Sequence, residues 1–455
     1  MFRCALCPHR WLRRSDLLIN AVKYYLTVTM LAGLATLPPG LAGELNPLAP
    51  YNGPSVRGVD TSTLTGKVMC GYQGWFNCEG DGAGLGWTHW AQKTSKPVAP
   101  VNMRVDYWPD VSELTPAERF KTGFKLADGS PAELFSSYNR ETVLRHFRWM
   151  HEYGIDGVFV QRFAHGLNNE ADRHHKDVVL ANCREGANHE GRAYAVMYDL
   201  TGLPAGGLAG VIADWKRLRA QMHMGDDPAY LHHRGKPLVA VWGVGFSNKP
   251  RQYSLAECQA LVEFLKADGC SVMLGVPTGW RELDRDSVSD PKLHEILKLA
   301  DVVSPWTVGR YNDLKGVAKH AAEYLKPDIA WCRAAGLDYL PVVFPGFSWH
   351  NQKGGVLGAT PRLKGDFLWS QFVAAKRAGS DMIYVAMFDE VDEGTAIFKS
   401  TDKLPVGSTQ FLTYEGLGSD YYLRLTGTGG RLLRGELPLQ NSVPTGNLLL
   451  QPAGN

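Results

Sequence analysis

Eight short, near-continuous apolar runs recur along this chain, and helical patterns separate most of them. The runs cover residues 68–72, 157–161, 193–198, 238–242, 272–276, 302–305, 340–344 and 382–388. A strand with one wet face alternates apolar and polar residues. A strand buried on both faces is apolar throughout, as in parallel sheets covered by helices. Helical patterns lie at 140–153, 176–189, 208–223, 255–268, 291–300 and 367–378. Strand–helix alternation repeated eight times predicts an α/β chain folded as a (β/α)8 TIM barrel with long loops at the C-terminal face of its strands; such barrels take ~250 residues plus insertions. An open doubly wound sheet is the alternative, but no Gly-x-Gly-x-x-Gly follows the first run. The stretch 101–108 has enough apolar character for a ninth strand and is assigned to a long first loop, residues 74–139.

The last run leads into Asp389, Glu390, Asp392 and Glu393, four carboxylates within five positions. In barrels of this kind, residues at the C-terminal ends of strands build the active site. Glu390 and Glu393 stand three apart, which puts both on one side of a helical turn. Two close carboxyls push each other's pKa apart, so one stays protonated as an acid while the other serves as a base. That pair is the basic equipment for cleaving a glycosidic bond. The same oxygens could hold Ca2+ or Mg2+, although the spacing of an EF-hand loop is absent, or could form a solvated acidic turn.

The other predicted strand ends collect polar and aromatic residues: Gln73-Gly-Trp75, Gln161-Arg-Phe163 followed by His165, Tyr198-Asp199, Trp242-Gly-Val-Gly245, Pro305-Trp306 and Gly346-Phe-Ser-Trp-His350. Aromatic platforms with donors and acceptors for hydroxyls suit a saccharide cleft. The expected substrate contacts are Trp75, Asp106, Trp108, Gln161, Tyr198, Asp199, Trp242, Trp306, Trp349, Asp389 and Asp392. Asp106 and Trp108 come from Val105-Asp-Tyr-Trp-Pro-Asp110, which also reads as a surface turn. The histidines show no metal-ligand spacing, neither a Gly-x-Ser-x-Gly elbow nor a Walker loop is present, and Gly243 and Gly245 read as a tight turn rather than a phosphate loop. No cofactor and no metal are expected.

A net charge of +2 gives no basic face for nucleic acid. Arg3, Arg10, Arg13 and Arg14, the apolar stretch 24–37 and the small residues 40–43 follow the order of a secretory signal. Residues 1–43 are therefore expected to export the chain to the periplasm or outside the cell, with an uncleaved membrane anchor as the alternative. Removing them takes five of the 48 Lys/Arg and one of the 46 acids, leaving 43 against 45, a net of −2. Residues 44–66 read as a linker or N-terminal arm, 67–400 as the barrel and 401–455 as an extension packed on it. Cys4 and Cys7 belong to the export segment. Cys70–Cys78 and Cys258–Cys270 are the near pairs if disulfides form, and buried free thiols serve a chain of this size equally well.

The stretch Phe388-Asp-Glu-Val-Asp-Glu-Gly-Thr395 resembles the Trp-Asn-Glu-Trp-His-Glu-Gly-Thr motif of glycoside hydrolase families 71 and 99, the latter containing the endo-α-mannosidases. Gly71-Tyr-Gln-Gly-Trp75 and Gly154-Ile-Asp-Gly-Val-Phe-Val160 look similar too. The resemblance implies a secreted or lumenal (β/α)8 barrel acting on a carbohydrate. It implies that Glu390 is the general base and Glu393 the general acid/base of a retaining reaction. There the base helps the substrate's own 2-hydroxyl attack the anomeric carbon, giving a 1,2-anhydro sugar. The chain departs from the motif at Phe388, Asp389, Val391 and Asp392, positions that flank the cleaved sugar in the family. A barrel that binds carbohydrate without cleaving it, and a metal-dependent hydrolase using the acidic cluster, are the competing readings.

Overall fold

The structure, a computed structural model, describes residues 46–247, 251–446 and 449. Residues 1–43, with the export reading and Cys4 and Cys7, lie outside the described residues. Eight parallel strands run β1 Val68–Tyr72, β2 Gly157–Phe163, β3 Ala193–Asp199, β4 Lys236–Trp242, β5 Ser271–Val276, β6 Val302–Pro305, β7 in two pieces, Asp338–Tyr339 and Val342–Val343, and β8 Ile383–Val385. The two pieces of β7 close the ring. The first pairs with β6 and the second with β8, while β8 also pairs with β1. Between the pieces, Leu340 N–H donates to Val303 O at 2.9 Å and Pro341 O accepts from Tyr384 N–H at 3.0 Å. Pro341 has no N–H to give, so the ladder breaks there while the strand continues.

A helix follows each strand: α1 Arg140–Glu152, α2 Glu170–Glu190, α3 Leu208–Met222, α4 Leu255–Ala267, α5 Lys292–Leu299, α6 from Leu314–His320 to Lys326–Ala334 through a π-type turn, α7 Asp366–Ala378 and α8 Tyr421–Leu433. Their starts are written in the sequence. Asn139 caps α1, Asn169 caps α2, and Ser254 with Glu257 forms a capping box on α4. The expected (β/α)8 barrel is the fold observed. Its eighth helix comes from the stretch set apart as an extension, so the barrel runs on to Leu433. Gly427, Gly429 and Gly430 weaken the helical signal of α8. A Cβ on Gly429 would meet the Phe372 ring at 2.4 Å, so this glycine is what lets α8 lie close on α7.

The loop after β1 is ordered. It holds an antiparallel hairpin, Phe120–Lys125 with Pro131–Leu134, and bridges the chain beyond β8 at Tyr107–Leu412, Pro109–Ser400 and Lys125–Val406. The arm before β1 is fastened to the opposite end of the barrel, where Val56 N–H donates to Asn188 O and Val59 N–H to Gly191 O. Cys70, Cys78, Cys183, Cys258, Cys270 and Cys332 are all buried free thiols, so neither near pair is bonded. No helix among the described residues is long and apolar enough to cross a membrane.

Candidate active site

Alternation along the strands decides what faces the barrel axis. On β2 and β3, Gln161 points inward, where its Nε2 meets Met197 Sδ and Tyr384 Oη. Gly71 of β1 faces the same space, and a Cβ there would lie 2.1 Å from Met387 Cε. These residues form a packed floor. Above it, at the C-terminal ends of the strands, opens a cavity of about 410 Å3, within the usual size of ligand sites, about 300–1,000 Å3.

Glu390 and Glu393 line this cavity. After β8 the chain passes the cis peptide Ala386–Met387 and makes a 3-10 turn over Val391–Glu393, then reverses at Gly394 with φ of 69°. A side chain at Gly394 would be strained in that conformation and would press on Ser348 N at 2.8 Å. The turn sends Glu390 and Glu393 toward the cavity and Val391 and Asp392 away from it. Glu390 is 4% exposed. Its Oε1 accepts from Gln73 Nε2 at 2.6 Å and its Oε2 from Thr395 Oγ1 at 2.8 Å. Burial first, then repulsion from Glu393 and Asp392, pushes Glu390 well above the usual carboxylate range, while both hydrogen bonds pull it back toward the ionised form.

Trp75, Gln161, Asp199, Trp242, Trp306 and Trp349 line the same cavity, as expected from their strand ends. Trp242 meets Trp306 edge to face at 5.6 Å. Trp75 is stacked by His89 at 3.7 Å and 8° and by Phe163 at 5.0 Å and 30°, so it offers the cavity an edge rather than an open face. Asp199 accepts the Thr201 N–H at 2.7 Å, and burial raises its pKa.

Five expected contacts stand elsewhere. Tyr198 neighbours Asp199 on β3 and therefore points to the opposite face, where its hydroxyl donates to Asp214 Oδ2 at 2.8 Å. There it joins a buried cluster of Arg162, Asp177, Asp214 and Arg217. Asp106 accepts from the His350 and Asn351 N–H groups at 2.8 Å each and from Ser348 Oγ, fastening the turn after β7. Trp108 is packed against Phe124 and Phe411, with its N–H on Glu133 O at 3.2 Å. Asp389 is fully buried and accepts the Gln73 and Gly74 N–H groups at 2.7 and 2.8 Å. Burial pushes its carboxyl up to about 7 against the pull of those amides. Asp392 accepts from or shares a proton with His89 Nδ1 at 2.8 Å. Arg104 Nε lies 3.2 Å from the same oxygen, near enough to attract it but out of hydrogen-bond alignment.

The departures from the family motif thus fall on the side away from the cavity. Phe388 packs on Tyr72 and His146, and Val391 is fully buried. The sequence offered no cue for Phe246, Arg251 or Arg310, which complete the lining of the cavity. Among the described residues no group of three or more His, Cys, Asp or Glu is placed to hold a metal. The acidic cluster is instead divided between two cavity-facing glutamates and two buried aspartates with separate partners.

A closed (β/α)8 barrel with a carboxylate pair in an aromatic cavity at its C-terminal face is the class of protein this geometry defines. No protein-family model matches the chain, and no curated protein matches it. Among solved structures it is similar to the GH99 endo-α-mannosidase from Bacteroides thetaiotaomicron, at 18% identity and a TM-score of 0.60, covering 82% of this chain and 99% of that one. The same enzyme in complex with bis-tris-propane gives 17% identity and a TM-score of 0.59, with the same coverage. The likeness establishes a shared barrel fold and agrees with the resemblance of the acidic motif.

Proposed function

We propose that this chain is a glycoside hydrolase that cleaves a glycosidic bond in a polysaccharide or glycan with Glu390 and Glu393. One observation carries the reading. Of four clustered acids, the fold turns these two into the aromatic cavity and buries the other two. The fold shared with an endo-α-mannosidase supports it.

The roles follow from the resemblance and from the hydrogen bonds. Glu390, held by Gln73 and Thr395, is the base. It takes the proton of the sugar 2-hydroxyl as that oxygen attacks the anomeric carbon. Glu393 gives its proton to the leaving oxygen, and a 1,2-anhydro sugar results. Water then opens the anhydro ring at the anomeric carbon. Glu393 takes the water's proton, Glu390 returns one to the 2-oxygen, and configuration is retained. Burial favours a proton on Glu390, whereas the reaction needs it on Glu393. The Gln73 and Thr395 donors bias the pair toward the working form.

Export rests on the pattern of residues 1–43 and belongs to the same proposal; sequencing the N-terminus of protein recovered outside the cytoplasm tests it. The activity is tested with a panel of α- and β-linked glycans offered to wild type, Glu390→Gln and Glu393→Gln. Sugar release by wild type that both variants lose supports the reading. Release that survives in both variants overturns it, and sugar binding without turnover by wild type makes the barrel a carbohydrate-binding protein.

A further inference from the structure

Arg251 and Arg310 also line the cavity. Their loops are joined. Phe246, beyond β4, bridges to Ser287, and Ser247 N–H donates to Asp286 O at 2.8 Å. Asp286 in turn accepts from Arg310 Nε at 2.7 Å. One loop assembly therefore presents both guanidinium groups to the cavity.

The two are not neutralised equally. Arg310 is paired with Asp286 through Nε alone. Arg251 lies over the rings of Trp242, Phe246 and Tyr253, 5.3, 5.1 and 5.8 Å from their centroids. It joins no ion pair among the described residues, and its buried Nε has no acceptor. The neighbouring Trp242 Nε1 has none either. Asp199 shares the cavity and attracts Arg251, with one of its oxygens taken by Thr201, and the Tyr253 hydroxyl also meets the guanidinium. This wall therefore keeps unpartnered donors at Arg251 Nε and Trp242 Nε1 beside two guanidinium groups. Buried donors without partners are uncommon, and a guanidinium on aromatic rings is well shaped to receive a planar or tetrahedral anion.

We propose that the sugar bound here carries an anionic substituent, a uronic carboxylate or a sulfate ester, held by Arg251 with Arg310 beside it. This deepens the glycosidase reading and rests on it for the saccharide nature of the ligand.

Tryptophan fluorescence of the whole protein, titrated with glucuronate, galacturonate, mannuronate and the 6-sulfates of glucose, galactose and mannose against their neutral parents, tests it. At least one acid should bind about ten-fold more tightly than its parent, as a charge-assisted guanidinium contact provides. Which acids win distinguishes carboxylate from sulfate. In Arg251→Gln the preference should shrink to about two-fold or less, and Arg251→Lys, which keeps the charge but not the stacked planar fork, should hold only part of it. No preference, no binding of any acid up to about 50 mM, or a preference unchanged in Arg251→Gln overturns the proposal. Hydrolysis of neutral glycans with no acid preference would sink the anion site and leave the glycosidase. Acid-selective binding with no hydrolysis of any glycan would do the reverse.

Discussion

The side-chain amide of Gln73 donates to Glu390 Oε1 at 2.6 Å, linking the end of the first barrel strand to the motif after the last. The bond orients the carboxylate and favours its ionised form. In Gln73→Leu that donor is gone, so Glu390 holds its proton to higher pH. The acid limb of the kcat/KM profile should move upward, because the base must be ionised to act. A charged hydrogen bond of this kind is worth about 1.5–3 kcal/mol, so the rate should fall about 10- to 100-fold. A pH–rate profile superimposable on wild type would show that Gln73 does not act through Glu390.

The two glutamates should separate by leaving group. An acid is needed only when the departing oxygen must be protonated. On an unactivated glycoside, Glu393→Gln should lose about 100- to 10,000-fold. On the 2,4-dinitrophenyl glycoside of the same sugar, whose leaving group departs unprotonated, it should recover most of kcat/KM, while kcat stays limited by opening of the anhydro sugar, for which Glu393 is the base. Glu390→Gln should stay slow on both. Recovery by Glu390→Gln instead would exchange the two roles.

Much of this was legible because strand-end position carries chemistry in a barrel. Trp242, Trp306, Trp349 and Glu393 follow from knowing where each apolar run stops. What was lost was parity. Tyr198 and Asp199 are adjacent, and a strand can turn only one of them inward. The apolar run of β3 is buried on both faces and so gave no sign of which. Asp106 and Trp108 lie in the long first loop, where no period fixes direction, and tertiary packing with Ser348 and Phe411 decided their places. Arg251 and Arg310 lie beyond the strand ends, and their convergence depends on a loop–loop bridge across Phe246 and Ser287. The helix α8 hid behind three glycines, of which Gly429 makes room for Phe372 of α7 and Gly430 lies against Val68 of β1.

Acid should weaken the fold through His146. It is buried, bonds to the Tyr72 hydroxyl at 2.9 Å through Nδ1, and burial lowers its pKa to about 3. Its unfolded form takes up a proton below about 6.5, whereas the folded form does not. Stability from this residue is therefore full above that pH and is lost as pH falls toward 3. Asp389, raised to about 7, contributes in the opposite sense over part of the range. A variant isolates the histidine. Relative to His146→Gln, wild type should lose up to about 1.4 kcal/mol per pH unit between 6 and 4. Urea midpoints that move in parallel for both proteins would refute a buried neutral His146.

Tyr198 offers a control for the inward face. Its hydroxyl serves Asp214 in the buried cluster around Arg162, outside the cavity. Tyr198→Phe should cost about 1–3 kcal/mol of stability, because Asp214 loses a donor while keeping both arginines. Steady-state kcat and KM should stay at wild-type values in protein that remains folded. A raised KM at unchanged stability would return Tyr198 to the sugar site.

His89 should act on binding rather than on the chemical step. It is stacked on Trp75 at 3.7 Å and tied through Nδ1 to the buried Asp392. Its φ of 62° is unusual for a residue with a side chain, and the stack and the Asp392 contact hold it there. Trp75 lines the cavity and His89 does not, so His89 is a positioning residue. His89→Ala removes one ring from the stack and leaves the indole free to turn. An aromatic contact is worth about 0.5–1.5 kcal/mol, so KM should rise about 2- to 10-fold with kcat nearly unchanged. His89→Phe, which restores a ring but not the link to Asp392, should recover most of the affinity if stacking is the cause. Failure of Phe to rescue, with Asp392→Asn reproducing the defect, would move the effect to the hydrogen bond. A fall in kcat instead of a rise in KM would place His89 in the chemistry beside Glu393.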